Sequence, residues 1–206
     1  PDIFEQFYLE SLRRFASYAH LLPASQTHHH RGAGGLLRHA AEVALWSLQS
    51  GDRVLLPGEQ APRRRRELEP RWHLAVFLAA LCHDVGKPVT DLAVTSRDGA
   101  KVWNPFVEDL YSWASRHGVD RYFLHWRENR AKKHTAISSL IAERIIPPTL
   151  WTFAGCRSGG KPAHLARQVS VALRWSPRRY TWKSKLGRQC GSALIVGGNS
   201  RRFSAA

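Results

Sequence analysis

The residues best suited to chemistry in this chain are His83 and Asp84, followed after one residue by Gly86-Lys87. Nine consecutive apolar residues, Leu74 to Cys82, run straight into the pair. The run is too short to span a bilayer and too rich in Ala and Leu to favour a strand. It reads as a helix that is apolar on all sides and therefore buried. A His and a carboxylate buried at the end of such a helix are costly unless something pairs them. A divalent metal ion pairs both at once, because imidazole nitrogen and carboxylate oxygen are both good ligands for first-row metals. The alternative is a core His hydrogen-bonded to the neighbouring Asp.

Further histidines stand where other helices could bring them in. Residues Leu36 to Leu48 form an amphipathic pattern with Leu36, Ala40, Val43, Ala44 and Leu48 along one face. His39 neighbours Leu36 and Val43 on that helix, at or beside the buried face. It could be a ligand or a satisfied core histidine; Glu42, one turn on, could be its outer partner, a base, or a solvated side chain. His134 opens a third helix, with Ile137, Leu140, Ile141 and Ile145 expected inward and Pro147-Pro148 as the stop. Before the second helix, Pro23 to Gly35 reads as a loop carrying His28-His29-His30-Arg31, either a solvated turn or a flank of the same site. A helical bundle can converge such residues from separate helices onto one cation. The matching chemistry is Lewis-acid activation of water against a phosphoester. Asp84 and Lys87 are then the catalytic candidates, with Lys87 placed to hold a non-bridging phosphate oxygen as a point charge. No complete G-x-x-x-x-G-K-[ST] P-loop is present.

The positioning elements follow from the pattern. Phe4 to Leu22 has helical spacing and is expected to end at Pro23. Residues 51–71 read as a loop, whose Arg63-Arg64-Arg65-Arg66 run could touch phosphates irrespective of sequence. Asp91 to Trp103 resembles two short strands about Asp98-Gly99, a hairpin signal. Phe106, Leu110, Trp113 and Ala114 predict a helix closed by Gly118. Asp120 to Arg130 is aromatic and basic; Arg127 and Arg130, three apart, would share a helix face and meet DNA phosphate there. The expected class is all-α, a helical bundle with a small hairpin insertion.

Composition adds a boundary. The net charge is +15, yet residues 1–143 hold 19 Lys and Arg against all 16 Asp and Glu, while residues 144–206 hold 12 basic residues and no acid. From about residue 156 the chain is rich in Arg, Ser, Gly and Trp without sustained period, apart from strand-like pieces at Leu165–Leu173 and Ala193–Val196. Two regions are therefore expected: a catalytic domain over 1–155, and an irregular basic tail over 156–206 that is disordered, a nucleic-acid arm, or text read out of frame. The chain begins with Pro1 and contains no Met, as an excised piece of a longer protein would. Cys82, Cys156 and Cys190 are odd in number and lack a CxxC, which fits a reducing compartment. With no signal peptide and no transmembrane run, a cytoplasmic location is expected.

The order His39, His83-Asp84-Val-Gly86-Lys87, His134 resembles the HD metal-dependent phosphohydrolase superfamily across most of residues 36–145. More narrowly, Leu22-Pro23-Ala24-Ser25-x-x-His28-His29-His30-Arg31-Gly-x-Gly34-Gly35-Leu-x-x-His39 resembles the MobH class of TraI-like relaxases of conjugative plasmids and integrative conjugative elements. Trp103-Asn-Pro105, Trp113, Tyr122, Trp126-Arg127-x-x-Arg130 and His134 are similar to that family too, so the resemblance covers about residues 4–153. It implies an HD-like bundle and a relaxase that nicks one DNA strand at the origin of transfer, with DNA and other conjugation proteins as partners. His39, His83 and Asp84 would be metal ligands, and His134 a ligand to a second metal or to phosphate. His28, His29 and His30, with Arg31, would flank the site as ligands or phosphate contacts. The metal would be manganese, iron or magnesium, with histidine-rich ligation leaning away from magnesium. The nucleophile would be a metal-activated water, or a tyrosine such as Tyr18 or Tyr122 forming a covalent adduct. One departure is plain: the HD pattern closes with an Asp on a later helix, and no Asp or Glu follows Glu143. Asp91, Asp98 or Asp109 could stand in only if the fold brings them to the site. The competing readings are an HD hydrolase of nucleotides or cyclic nucleotides, which the three-histidine loop and the basic balance disfavour, and a catalytically impaired DNA-binding remnant.

Overall fold

A computed structural model describes residues 2–51, 62–128, 134–150 and 201–204. The protein is mostly helical, as expected. The first helix opens with π-helical turns over Phe4–Leu9 and continues as α1, Glu10–Ala19. It stops before the expected Leu22, because His20 leaves the helical region with φ 42°. Then come α2 (Gly35–Gly51), α3 (Pro62–Cys82), the single turn α4 (Lys87–Thr90), β1 (Leu92–Ser96), α5 (Leu110–His117), β2 (Arg121–Trp126), α6 (His134–Ile145) and β3 (Arg201–Ser204).

The core is built where the apolar faces meet. Helix α2 packs along α3, and small Ala40 and Ala44 are fully buried beside Leu36. Leu74, Ala75, Phe77, Leu78, Ala79, Leu81 and Cys82 of α3 are all buried, while Val76 and Ala80, one turn apart, leave a part-exposed stripe that leads to His83. Phe7, Phe15, Tyr18 and Leu22 close the core from the first helix, with Ile141, Ile145 and Leu150 from the far end.

Four expectations need correction. Residues 62–71 are helical rather than loop: Pro62 takes the first helical position, where its missing N–H costs nothing, and Pro70 sits inside the helix. The Asp98-Gly99 turn forms as expected, with Gly99 at φ 73°, and the returning chain pairs briefly with β1, Ser96 N donating to Lys101 O and Trp103 N to Val94 O, each at 2.9 Å, about the bridge Thr95 to Val102. The longer partner of β1 is β2, antiparallel from Leu92↔Trp126 to Ser96↔Tyr122. Arg121–Trp126 is thus a strand, with Tyr122 and Leu124 inward; its period of two is masked in sequence because Phe123, on the other face, is apolar too. Phe106 is exposed and outside α5, which starts after the N-cap Asp109, whose Oδ1 accepts from Ser112 N at 2.7 Å. Such a cap contributes about 1 kcal/mol. Leu140 points to solvent, and Ser138 takes the inward position.

Strand β3 pairs with β2, from Arg121↔Ser204 to Leu124↔Arg201. The strand-like pieces expected at 165–173 and 193–196 lie outside the described residues, as does most of the basic tail.

Candidate metal centre

The largely buried half of α3 delivers His83 and Asp84 into a tight turn. Val85 N donates to Cys82 O at 3.3 Å and Lys87 N to Asp84 O at 3.0 Å, so the chain leaves the helix by successive three-residue turns. Gly86 lets this turn lie directly on α6. A Cβ there would stand 2.5 Å from His134 O and 2.8 Å from Ser138 N, both backbone atoms. Ser138 bolts the two elements together: its Oγ accepts from Gly86 N at 3.0 Å and donates to His83 O at 2.9 Å. Ser138→Ala leaves the buried Gly86 N–H without that acceptor, which costs about 1–3 kcal/mol. The expected result is a Tm lower by roughly 2–12 °C for a chain of this size, read by circular dichroism; an unchanged Tm would remove Ser138 from this role. Sequence spacing holds the clue to it, since Ser138 is one turn from His134 on a face otherwise lined by isoleucines.

Asp84 is the hub. It is 6% exposed. Its Oδ2 lies 3.3 Å from His39 Nε2, 3.2 Å from His83 Nε2 and 2.7 Å from Lys87 Nζ, and its Oδ1 lies 3.3 Å from His134 Nε2. Three separate helical elements thus bring one imidazole each to a single carboxylate. Burial pushes the Asp84 pKa up, but hydrogen bonds from His134, His39 and His83 outweigh it and hold the carboxyl far below the usual carboxylate range. His83 is aimed by its other nitrogen, Nδ1, 2.7 Å from Ala80 O. That is the outer contact that orients metal-binding histidines.

The three-histidine loop is folded against this hub. Gly35 permits it, because a Cβ there would collide with His30 O at 2.0 Å. Ala24 N donates to His30 O at 2.9 Å and Gly34 N to Leu21 O at 3.0 Å, closing the loop on itself. His30 adopts φ 55°. The result separates the histidines. The rings of His29 and His30 lie 5.4 and 5.2 Å from that of His39, which is 5.1 Å from His83. His28 instead faces outward, paired with Thr27 Oγ1 at 3.1 Å. Glu42 orients His30, with Oε2 3.0 Å from Nε2, and is itself held by Arg38. Burial, aided by nearby positive groups, lowers the pKa of His29; burial also lowers that of His30, with Glu42 opposing. Both imidazoles are therefore neutral, with lone pairs available, at neutral pH.

Two overlapping donor groups result, His39-His83-Asp84 and His29-His30-His39. They fit a divalent cation. The 3.2–3.3 Å contacts about Asp84 are longer than charge-assisted hydrogen bonds. They match the roughly 3.0–3.4 Å edges of a shell whose bonds to the metal are about 2.1 Å. Imidazoles beside one carboxylate suit manganese, iron or zinc better than magnesium.

The match to known families agrees with this region of the chain. Residues 1–155 match the model of the TraI_2 family, described as "Putative helicase". The chain belongs to the TraI_2 family. It is therefore a TraI-like, conjugation-related protein of relaxase or helicase type. No curated protein matches the sequence.

The remaining candidates of this TraI_2 chain are placed as follows. Lys87 points inward, its Nζ shared between Asp84 and Ala24 O at 3.1 Å, rather than outward toward a ligand. Arg31 makes no ion pair among the described residues. Arg127 follows β2; its Nε donates to Leu92 O at 3.2 Å, and it lines an open cleft with Trp103, Asn104 and Phe106. Arg130 lies outside the described residues. Of the three acids that might replace the absent late Asp, Asp98 bonds Ser96 and Ala100 N in its own turn and Asp109 caps α5. Asp91 alone reaches the site, 4.0 Å from His134 Nδ1. No helix among the described residues is long and apolar enough to cross a membrane.

Proposed function

We propose that this centre is the HD-type, metal-dependent phosphodiesterase site of a MobH-class relaxase, which nicks one DNA strand at the origin of transfer in the cytoplasm. The observation that carries the reading is the convergence of His39, His83 and His134 on the buried Asp84 carboxylate from three helical elements. When bound, a divalent cation supplies Lewis-acid activation of water and neutralises charge on the scissile phosphate. The chain's own part is orientation. Asp84 and the imidazoles hold a fixed donor set, Ala80 O and Glu42 aim two of the rings, and Arg31 offers a cation to the DNA backbone. Lys87 holds the Asp84 carboxylate and the loop carbonyl of Ala24 together, so the loop and the hub move as one.

The tyrosine alternative is poorly served. Tyr18 is 1% exposed and Tyr122 0%. Burial raises the Tyr18 phenol, and it pushes the Tyr122 phenol up to about 12. A buried, neutral phenol cannot reach a phosphate. Tyr18→Phe and Tyr122→Phe should therefore nick at wild-type rate, within about twofold, and no covalent protein–DNA adduct should form on denaturing gels. Loss of nicking in a folded Phe variant would favour the tyrosine. The central test is conversion of supercoiled DNA carrying the origin of transfer into nicked circles with Mn2+. It should be abolished by a chelator, restored by Mn2+ and lost in His83→Ala. Nicking that survives His83→Ala in the chelator would defeat the proposal.

A further inference from the structure

His134 meets Asp84 through Nε2, but its other nitrogen is unprovided for. Nδ1 is buried with no hydrogen-bond partner among the described residues, which is costly for a polar atom. The Asp91 carboxylate stands beside it, with Oδ1 at 4.0 Å. Asp91 is itself buried, at 9% exposure, an unusual place for a carboxylate without a task. Its backbone is pinned at both ends: its N donates to Lys87 O at 2.8 Å and its O accepts from Arg127 N at 2.9 Å. Only the side chain is left to move, and Oδ1 is held meanwhile by Thr90 Oγ1 at 2.7 Å. A side-chain rotation closing roughly 1 Å would bring the carboxylate to hydrogen-bonding distance of Nδ1.

We infer that Asp91 is the positioning residue for His134, accepting the Nδ1–H so that the Nε2 lone pair faces the cation beside Asp84. Two other imidazoles of the centre set the pattern. His83 Nδ1 rests on Ala80 O and His30 Nε2 on Glu42, each with an outer acceptor fixing the ring. Asp91 supplies the same contact to His134, and it comes from the turn directly after Lys87 rather than from a late helix. The centre thereby gains a second buried carboxylate although no acid follows Glu143. The inference rests on the metal reading of the centre.

Titration calorimetry with Mn2+ alone, on the whole chain, tests it. Loss of an outer acceptor costs about 10–100-fold in metal affinity, so Asp91→Ala should bind Mn2+ that much more weakly. Asp91→Asn, which keeps a neutral acceptor and the Thr90 contact, should fall between Ala and wild type. Asp91→Glu should recover most of the affinity. In 15N-histidine protein loaded with diamagnetic Zn2+, long-range proton–nitrogen spectra should place the His134 proton on Nδ1 in wild type, with the signal lost in Asp91→Ala. The His134→Gln variant assigns that signal. A merely structural Asp91 would lower Tm in the Ala variant without moving the tautomer. If wild type binds Mn2+ while Asp91→Ala binds equally well, or if the wild-type proton lies on Nε2, the role of Asp91 is overturned and the metal centre stands. If wild type binds neither Mn2+ nor Zn2+, the metal centre falls and this role falls with it.

Discussion

Asp84→Ala should abolish divalent-cation binding and lower strand cleavage by roughly a thousandfold or more, since a cation contributes several kcal/mol of charge stabilisation and each ~1.4 kcal/mol is a factor of ten. No other group could replace it, because it is the one carboxylate that His39, His83, His134 and Lys87 all contact. Asp84→Asn keeps the shape and removes the charge, and should lose cation binding equally. The pH dependence of stability gives an independent check. Burial raises the Asp84 pKa, but the hydrogen bonds from His134, His39 and His83 depress it more. An ionised carboxylate of this kind stabilises the fold fully above the unfolded-state value of about 3.9. That contribution is lost as pH falls toward the folded value. The stability gap between wild type and Asp84→Asn in urea melts should therefore be widest at neutral pH and shrink below about pH 4. A gap that widens with acid would contradict the assigned geometry.

Gly86→Ala is expected to have the largest structural effect. The added methyl would lie 2.5 Å from His134 O and 2.8 Å from Ser138 N. Neither is a flexible side-chain end, so α6 must move as a body. Overpacking of this kind costs about 1–3 kcal/mol and occasionally more, or a Tm lower by roughly 2–12 °C. The shift also draws His134 away from Asp84, so Mn2+ affinity should fall at least about tenfold, as for other disturbed ligand supports. Gly86→Val should be worse on both counts. An alanine variant with wild-type Tm and affinity would show that α6 does not rest on this turn.

Much of the centre could be read from residues alone. Leu74 to Cys82 demanded a buried helix, and a buried helix ending in His-Asp demanded a partner for both groups; the structure buries most of that helix and surrounds Asp84 with imidazoles and a lysine. His39 and His134 were legible because each sits one turn from apolar residues on a helical face. The local signals failed for pairings between distant stretches of chain. The hairpin at Asp98-Gly99 was visible, but that Arg121–Trp126 is a strand covering the other edge of β1 was not. That pairing, Leu92↔Trp126 through Ser96↔Tyr122, lies about thirty residues away in sequence. Nor does spacing show that His29 and His30 turn inward while His28 turns out, because φ 55° at His30 and the missing Cβ of Gly35 decide it. Which donors this chain owns, and how many, was written in its sequence from the start. Which of them share one hub, and that Asp91 lies beside His134 while Asp98 and Asp109 stay in their own turns, was decided by the packing of α6 on the Gly86 turn. The reason is that side chains far apart along the chain meet only where buried surfaces force their helices together.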